Sequence, residues 1–221
     1  IVDCDWSSDV CSSDLLRNAG VPIALIGRTA DNKGLNYVDR DFSATTKKAI
    51  DHLAKLGHKK IAYIQNIRAK SKISVGVDVR NAKEIKTYCK KIGLTVVEIL
   101  AKNDAESGRN ALIELRNNYP EVTAIIGLND LATIGFVSAA REIGVEIPKD
   151  LSIISINTPD NQVHMTWPSL TTIKLPAHQM GRAAAELLMN QIRGVESKNP
   201  QQLFVGDLEV RGTTSKSPTK R

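Results

Sequence analysis

Short apolar runs alternate with helical stretches along the chain from residue 21 onward. The runs are rich in Val, Ile and Ala and are closed by Gly, Asn or Gln, which is typical of buried strands. The stretches between them carry apolar residues three and four positions apart, the period of a helix that buries one face. The pattern predicts strands at 21–26, 60–65, 95–100, 122–128, 151–156, 203–205 and 208–210, and helices at 42–56, 82–92, 105–119, 130–143 and 177–193.

Capping residues mark where several of these helices begin. Asp41 and Asp104 each precede a helix, and either Asn129 or Asp130 precedes a third, so these side chains can accept a hydrogen bond from the first helical turn. Strands that are each followed by a helix predict an α/β fold with parallel sheets flanked by helices on both faces. In such folds ligands bind beyond the carboxyl ends of the strands.

Polar side chains and one glycine stand at or just after the ends of the predicted strands. Most are amides, which hydrogen-bond a polar or polyhydroxylated ligand without chemistry. An Asn after a strand also serves as a helix cap or a turn residue, so the ligand role and the structural role both stay open. The residues concerned are Gly27, Gln65, Lys102, Asn103, Asn129 and Asn157.

Composition and spacing exclude several classes of protein. The chain has 221 residues, 42% of them hydrophobic, which suffices for a packed core, and no apolar run has the length of a membrane helix. The net charge of +6 is spread over predicted helix faces rather than gathered into one patch. Cys4, Cys11 and Cys89 lack the spacing of disulfide frames or zinc sites. We expect no metal, no cofactor and no membrane contact, in a reducing, cytoplasmic setting.

Catalytic motifs are equally absent from the sequence. It has no GxGxxG turn, no phosphate-binding P-loop and no nucleophile elbow. The histidines lack a nucleophile or a metal partner at motif spacing, and His58 is interpreted as a structural residue at a helix exit. The sequence therefore predicts a binding protein without catalytic residues rather than an enzyme.

The first residues differ from the rest of the chain. Residues 5–15, DWSSDVCSSDL, have no helix or strand period, and they match the first-frame translation of a common sequencing-adapter oligonucleotide. We interpret residues 1–15 as a non-native artefact and exclude them from the fold prediction.

Six motifs, taken in order and spacing, connect the chain to a known family. They resemble the LacI/GalR family of bacterial transcriptional repressors from about residue 16 to residue 214. The motifs are VPIALIGR (21–28), AIDHLAKLGHKKIAYI (49–64), GLNDLATIGFVSAAREIG (127–144), VEIPKDLSIISIN (145–157), PSLTTIKLPAHQMGRAAAELL (168–188) and LEVRGTT (208–214).

The resemblance implies a fold like the type I periplasmic binding proteins, with two α/β subdomains joined by three crossovers. A small effector, a sugar or a related polar metabolite, is expected between them, in a homodimer that grips operator DNA through an upstream head absent here. Residues 16–40 and 173–202 correspond to a partial first subdomain, and 41–172 with 203–213 to a complete second one. We expect 214–221 to be a loose tail, and the partial subdomain to expose apolar surface and aggregate.

The resemblance also implies the positions of the effector contacts. The family usually has an Arg where Asn81 stands, although Arg80 is adjacent, and it usually has an Asp where Asn157 stands. These departures predict an unusually neutral cleft. The expected effector-binding residues are Gly27, Arg80, Asn81, Asn103, Asn129 and Asn157.

Three classes of function are compatible with an α/β fold of this kind. A DNA-binding regulator is favoured by the motifs at 145–157 and 168–188, and a periplasmic sugar-binding protein of a transporter shares the fold. An enzyme on a related scaffold has no motif in its favour. Met165 and Trp167 are candidate anchors of the expected dimer interface, and ordinary loop packing is the alternative.

Overall fold

The structure is a computed structural model that describes residues 12–29, 32–67 and 76–218, and its strands form two sheets of unequal size. The order of strands is β4-β3-β5-β6-β7-β9 in the large sheet and β1-β2-β8 in the small sheet. The helices are α1 (Ser12–Asn18), α2 (Phe42–Lys55), α3 (Gly76–Ile92), α4 (Ala105–Asn118), α5 (Asp130–Glu142) and α6 (Ala177–Ile192). The strands are β1 (Ala24–Ile26), β2 (Asn36–Arg40), β3 (Lys60–Asn66), β4 (Thr95–Ala101), β5 (Ala124–Gly127), β6 (Ser152–Ser155), β7 (Thr171–Lys174), β8 (Gln201–Phe204) and β9 (Asp207–Glu209).

The large sheet is parallel from β3 to β7, as the alternation of strands and helices predicts, and β9 joins it antiparallel at one edge. Because successive side chains of a strand point to opposite faces, Ile61 and Tyr63 pack under α2 and α3, and Ala62 and Ile64 pack under α4 and α5. Both faces of the sheet are therefore buried under helices.

Helices α4 and α5 cross at two glycines. A Cβ on Gly108 would lie 2.0 Å from the backbone oxygen of Ala132, and a Cβ on Gly135 would lie 2.2 Å from that of Ala105. Only a residue without a side chain allows the two backbones to approach so closely. Because α5 begins three residues after the end of β5, its amino end and Asn129 lie at the carboxyl edge of the sheet.

The small sheet has one described helix packed against it. Its strands are all parallel, and Val38 of β2 packs against Met180, Ala184 and Leu187 of α6. The chain passes between the two sheets after β2, after β7 and after β8. The predicted subdomain boundaries lie after residues 172 and 202. Strand β7 continues to Lys174 in the large sheet and β8 continues to Phe204 in the small sheet, so each strand ends two residues beyond its predicted boundary.

Several elements differ from the sequence predictions. Strand β2 was not predicted, because its residues NYVDR carry polar positions that suggest a loop. Helix α3 begins six residues earlier than the predicted start at 82, at Gly76. Residues 1–11, including Cys4 and Cys11, lie outside the described residues, whereas the last residues of the supposed artefact begin α1 despite their lack of a helical period.

The prediction of a loose tail is wrong for residues 214–218. The backbone amide of Ser217 donates to the backbone oxygen of Leu56 at 2.8 Å, and that of Ser215 donates to Oγ of Ser152 at 3.0 Å. The tail is thus held at the amino edge of the large sheet, a contact that its polar sequence alone does not reveal. Within the described ranges, no helix combines the length and the apolar character needed to cross a membrane.

Candidate functional site

Two side-chain contacts join the small sheet to the large sheet and define the space between them, which we call the cleft. Arg40, the last residue of β2, donates from Nη1 to Oδ1 of Asn157, which follows β6. Arg80, near the start of α3, donates from Nη2 to the backbone oxygen of Arg28 at 3.4 Å, and Arg28 follows β1. Both contacts lie at carboxyl ends of strands, where open parallel sheets bind their ligands.

Two of the predicted asparagines brace these strand ends. Asn157 donates from Nδ2 to the backbone oxygen of Leu128, and the buried Asn129 donates from Nδ2 to that of Ala101 at 3.1 Å. The two bonds tie together the ends of β4, β5 and β6. Since Oδ1 of Asn157 also accepts from Arg40, both atoms of this amide are already engaged within the protein.

Asn103 and Asp130 form a second polar pair at the same edge. The Nδ2 of Asn103 donates to Oδ1 of Asp130 at 2.7 Å, and its Oδ1 accepts from the backbone amide of Leu131 at 3.1 Å. By its backbone, Asn129 is the residue that caps α5, but its side chain makes no capping bond. The carboxylate of Asp130 instead accepts from the amide of Leu131 at 2.9 Å, which partly satisfies the start of the helix.

Gly27 contributes its backbone to the cleft rather than a side chain. Its φ of 103° lies in the left-handed region, which residues with a Cβ rarely adopt. Its backbone amide donates to the backbone oxygen of Val38 at 2.7 Å, so it is held against β2. The turn at Gly27 brings Arg28 over the ring of Tyr37, with the guanidinium carbon 6.0 Å from the ring centre.

Three arginines surround the ring of Phe42, the first residue of α2. The guanidinium carbons of Arg80, Arg40 and Arg28 lie 5.0, 5.6 and 5.7 Å from the ring centre. Distances of this kind favour attraction between a cation and the face of an aromatic ring. The prediction of a neutral cleft is therefore wrong, because it considered positions 81 and 157 and not Arg28 and Arg40 at the ends of β1 and β2.

One carboxylate balances this group, that of Asp39. Its Oδ2 pairs with Nε of Arg28 at 2.7 Å, and its Oδ1 accepts from the backbone amide of Arg40 at 2.7 Å. Burial lowers the pKa of Arg40 to about 10, against the opposing effect of Asp39. Burial also lowers the pKa of Arg80, and the charge of Arg28 adds to that decrease while Asp39 opposes it. The guanidinium groups of Arg40 and Arg80 thus carry an uncompensated cost of desolvation.

The structure separates the two candidates for the family's usual arginine. Asn81 is fully buried on α3, and neither atom of its amide has a hydrogen-bond partner among the described residues. Arg80, one position earlier, reaches the cleft and the Phe42 ring. A shift of one residue around the helix therefore decides which side chain faces the cleft. Gln65, near the end of β3, is also buried, and its Oε1 has no hydrogen-bond partner among the described residues.

A cavity of about 1100 Å³ lies at the opposite, amino edge of the large sheet. It is lined by residues of mixed charge that include Lys60, Glu121 and Asp150, and Lys60 pairs with Glu121 at 3.6 Å. Because parallel sheets bind ligands at their carboxyl edge, we place the candidate site in the cleft. Across the residues that the structure describes, no cluster of three or more His, Cys, Asp or Glu residues could hold a metal ion.

Comparison with known proteins finds similarity to a binding-protein domain and to bacterial regulators. The family model of the periplasmic binding protein-like domain matches residues 50–214. The HTH-type transcriptional regulator MalR of Streptomyces coelicolor is 28% identical over 98% of this chain, which spans 63% of that relative's length. A LacI family transcriptional regulator from Bifidobacterium animalis subsp. lactis has a TM-score of 0.82 at 26% identity, over 92% of this chain and 73% of its own. Another LacI family regulator, from Arthrobacter sp. FB24 in complex with lactose, has a TM-score of 0.78 at 24% identity. The match covers 91% of this chain and 75% of that one.

Proposed function

The chain belongs to the periplasmic binding protein-like domain family, and from this premise we propose that it is the ligand-sensing core of a LacI-type DNA-binding transcriptional regulator. The observation that carries the proposal is the pair of contacts across the cleft, Arg40 to Asn157 and Arg80 to Arg28. They place polar side chains from both sheets around one space. The named relatives are transcriptional regulators, which favours this function over a transporter's periplasmic sugar-binding protein and over an enzyme.

A solute bound in the cleft would change the angle between the two sheets. It contacts both sheets only when they are close, so it binds the closed arrangement more tightly than the open one. The size of the shift is limited by that difference in affinity. In a dimer, the closure angle would set the spacing of the DNA-binding heads, and operator affinity would follow the effector concentration.

We propose a sugar-like polar metabolite as the effector. An amide nitrogen carries two N–H donors, so the strand-tip amides that brace the sheet and the nearby guanidinium groups suit hydroxyl and other oxygen ligands. The lactose complex of the Arthrobacter regulator supports this class, because the two chains share the fold. Operator DNA would be contacted by a separate head in the cytoplasm.

We also propose that the protein acts as a homodimer. Trp167 is 85% exposed and Met165 is 62% exposed, and both lie between β6 and β7 of the large sheet. A large aromatic side chain with so much exposed surface is a typical anchor of a protein interface. Static light scattering of the chain and of Trp167→Ala tests this proposal. Dimer mass that falls to monomer mass in the variant is the expected result, and monomer mass for both would contradict it.

Ligand binding is tested by thermal shift with the 221-residue chain and a panel of monosaccharides, disaccharides, sugar phosphates and sugar acids. At a ligand concentration of about 100 times Kd, one bound effector stabilises the folded state by about 2.7 kcal/mol. Asn157→Ala should reduce the stabilisation by the effector, because it removes the amide that contacts Arg40 of the small sheet and Leu128 of the large sheet. Asn117→Ala, an exposed amide on α4, is the matched control and should respond like the parent. A chain that no member of the panel stabilises would contradict the proposed function.

A further inference from the structure

We propose that the effector carries an anionic group, a carboxylate or a phosphate, which binds between Arg28, Arg40 and Arg80 beside Phe42. This inference rests on the proposed function, since it specifies the ligand of the same cleft. We call these three arginines the guanidinium cluster. It combines unbalanced positive charge with unused hydrogen-bond donors, which together favour an anion, and its residues come from both sheets.

The charge of the cluster is not balanced within the described residues. Asp39 is the carboxylate that faces all three guanidinium groups, and both of its oxygens are already engaged, one by Nε of Arg28 and one by a backbone amide. The neighbouring Asp41 directs its carboxylate to the backbone amide of Ala44 at 2.8 Å and caps α2. Like charges gathered in a partly buried space repel one another, so an added anion lowers the free energy of the folded protein.

The cluster offers more donors than the protein uses. Each guanidinium has five N–H donors. The structure pairs Arg40 through Nη1 with Asn157, and Arg80 through Nη2 with a backbone oxygen at the long distance of 3.4 Å. The Nε of Arg80 is buried and has no hydrogen-bond partner among the residues described. A carboxylate or a phosphate supplies several acceptor oxygens at once, and its bonds to guanidinium groups are among the strongest in proteins.

The cluster spans the two halves of the molecule. Arg28 and Arg40 belong to the small sheet and its turn, whereas Arg80 lies on α3 of the large sheet. The side chain of Arg28 is 23% exposed, so the cluster is reachable from solvent. An anion that contacts all three residues links the sheets in the closed arrangement. The anionic group is thereby the part of the effector that couples binding to closure.

The test compares charged and uncharged versions of the same sugars. Binding to the 221-residue chain is measured by titration calorimetry for glucose, glucose 6-phosphate and gluconate, for the corresponding sets from galactose and fructose, and for inorganic phosphate. We expect binding by charged members and weaker binding by their uncharged parents. Comparing the sugar phosphates with the sugar acids shows whether the preferred anionic group is a phosphate or a carboxylate. Affinity for the charged members should fall as NaCl is raised, because salt screens the attraction.

Variants assign the effect to the cluster. Arg80→Gln should weaken binding of the charged members by about tenfold or more, because it removes charge-assisted hydrogen bonds to the anionic group. Arg80→Lys keeps the charge and should retain part of the affinity. Arg141→Gln, which removes an exposed arginine from α5, should bind like the parent. The melting temperature of each variant without ligand shows whether it is folded, and Arg28→Gln gives a second test should Arg80→Gln unfold.

The possible outcomes separate this inference from the proposed function. Binding of uncharged sugars with no preference for their charged versions overturns the inference and leaves the ligand-sensing role intact. Binding of charged members that is the same in the parent, Arg80→Gln and Arg28→Gln overturns the assignment to the cluster. A chain that binds no member of this set or of the wider panel overturns both proposals.

Discussion

The two sheets of this protein are built from similar strands but are buried to very different extents. Among the described residues, the large sheet has cores of 18 and 14 buried apolar residues on its two faces, whereas the small sheet has a core of four, against α6. Parallel sheets are normally covered on both faces. Leu203 of β8 lies on the face away from α6 and is 47% exposed, and Ile26 at the end of β1 is 61% exposed. Strand-forming sequence therefore does not by itself make a stable layer, because stability comes from what covers the strands.

The difference between the sheets has a consequence for handling the protein. Further exposed apolar side chains lie on α1, on α6 and just after α6, and they are Leu15, Leu16, Met189, Ile192 and Val195. Contiguous exposed apolar surface promotes association between molecules. The expectation of aggregation drawn from the sequence therefore has a definite location, at the small sheet and α6.

The largest effect should come from the core of the large sheet. Phe136 of α5 is fully buried, and Phe136→Ala should lower the free energy of unfolding by about 3–5 kcal/mol, because it removes buried surface and leaves a cavity. Leu187→Ala, in the small core, should leave the main urea transition nearly in place and instead raise amide hydrogen exchange in α6. Urea denaturation and hydrogen exchange measure the two effects. Equal shifts of the main transition would show that both sheets unfold as one unit.

Replacing a helical glycine with alanine should have a smaller effect on stability. The change should be destabilising at Gly135 in the large-sheet region and stabilising at Gly181 in the small-sheet region. Gly135→Ala should destabilise the large sheet by about 1–3 kcal/mol, since the new Cβ would lie 2.2 Å from a backbone oxygen of α4. Gly181→Ala on α6 meets no atom within 4 Å and should stabilise that helix by about 0.5–1 kcal/mol. Urea denaturation measures the first change, and exchange protection of α6 measures the second. Stabilisation by Gly135→Ala would mean that α4 and α5 do not approach so closely.

The smallest effect should be a pH dependence confined to the large sheet. His58 is buried, with Nδ1 2.9 Å from Oγ1 of Thr123 and Nε2 3.1 Å from the backbone oxygen of Ser215. Burial lowers its pKa below the ordinary 6.5, the bond to Ser215 opposes that decrease, and the charge of His52 adds to it. The folded state therefore disfavours protonation. The stabilisation is complete above pH 6.5 and is lost as the pH falls from there through the lowered pKa.

Two variants isolate this contribution. His58→Gln removes the titrating ring, so its stability should fall less between pH 7.5 and 5 than that of the parent. His178→Gln, an exposed position on α6, serves as the control and should keep the parent's pH profile. Urea midpoints at each pH provide the measurement. Parallel profiles for the parent and His58→Gln would contradict a role for this histidine.

Most of the large sheet could be predicted from the sequence because its strands and helices carry strong local signals. The apolar run at 60–65 became β3, and Asp41 and Asp104 cap α2 and α4 as expected, by bonds to the amides of Ala44 and Ser107. Strand β2 was missed because its polar residues are stabilised by pairing with β1 and β8, which are distant in sequence. Pairing between distant strands leaves no periodic pattern in the strand itself.

The candidate site was only partly predictable. The sequence placed Asn129 and Asn157 at the strand tips correctly, but it could not show that their amides are engaged in bracing the strands. The guanidinium cluster had no signal of its own, because Arg28 and Arg40 lie on the small sheet and Arg80 on α3 of the large one. Of the three arginines, only Arg80 was predicted as an effector-binding residue, beside Asn81.

The sequence by itself determined the class of the fold and the family, because hydrophobic periodicity, capping residues and motif order are local properties that any stretch of chain carries. The tertiary structure alone decided the charge of the cleft, the attachment of the tail to the large sheet and the unequal covering of the two sheets. Each of these depends on distances between residues far apart in the chain. Electrostatic and packing energies depend on distance in space, to which separation along the chain is a poor guide.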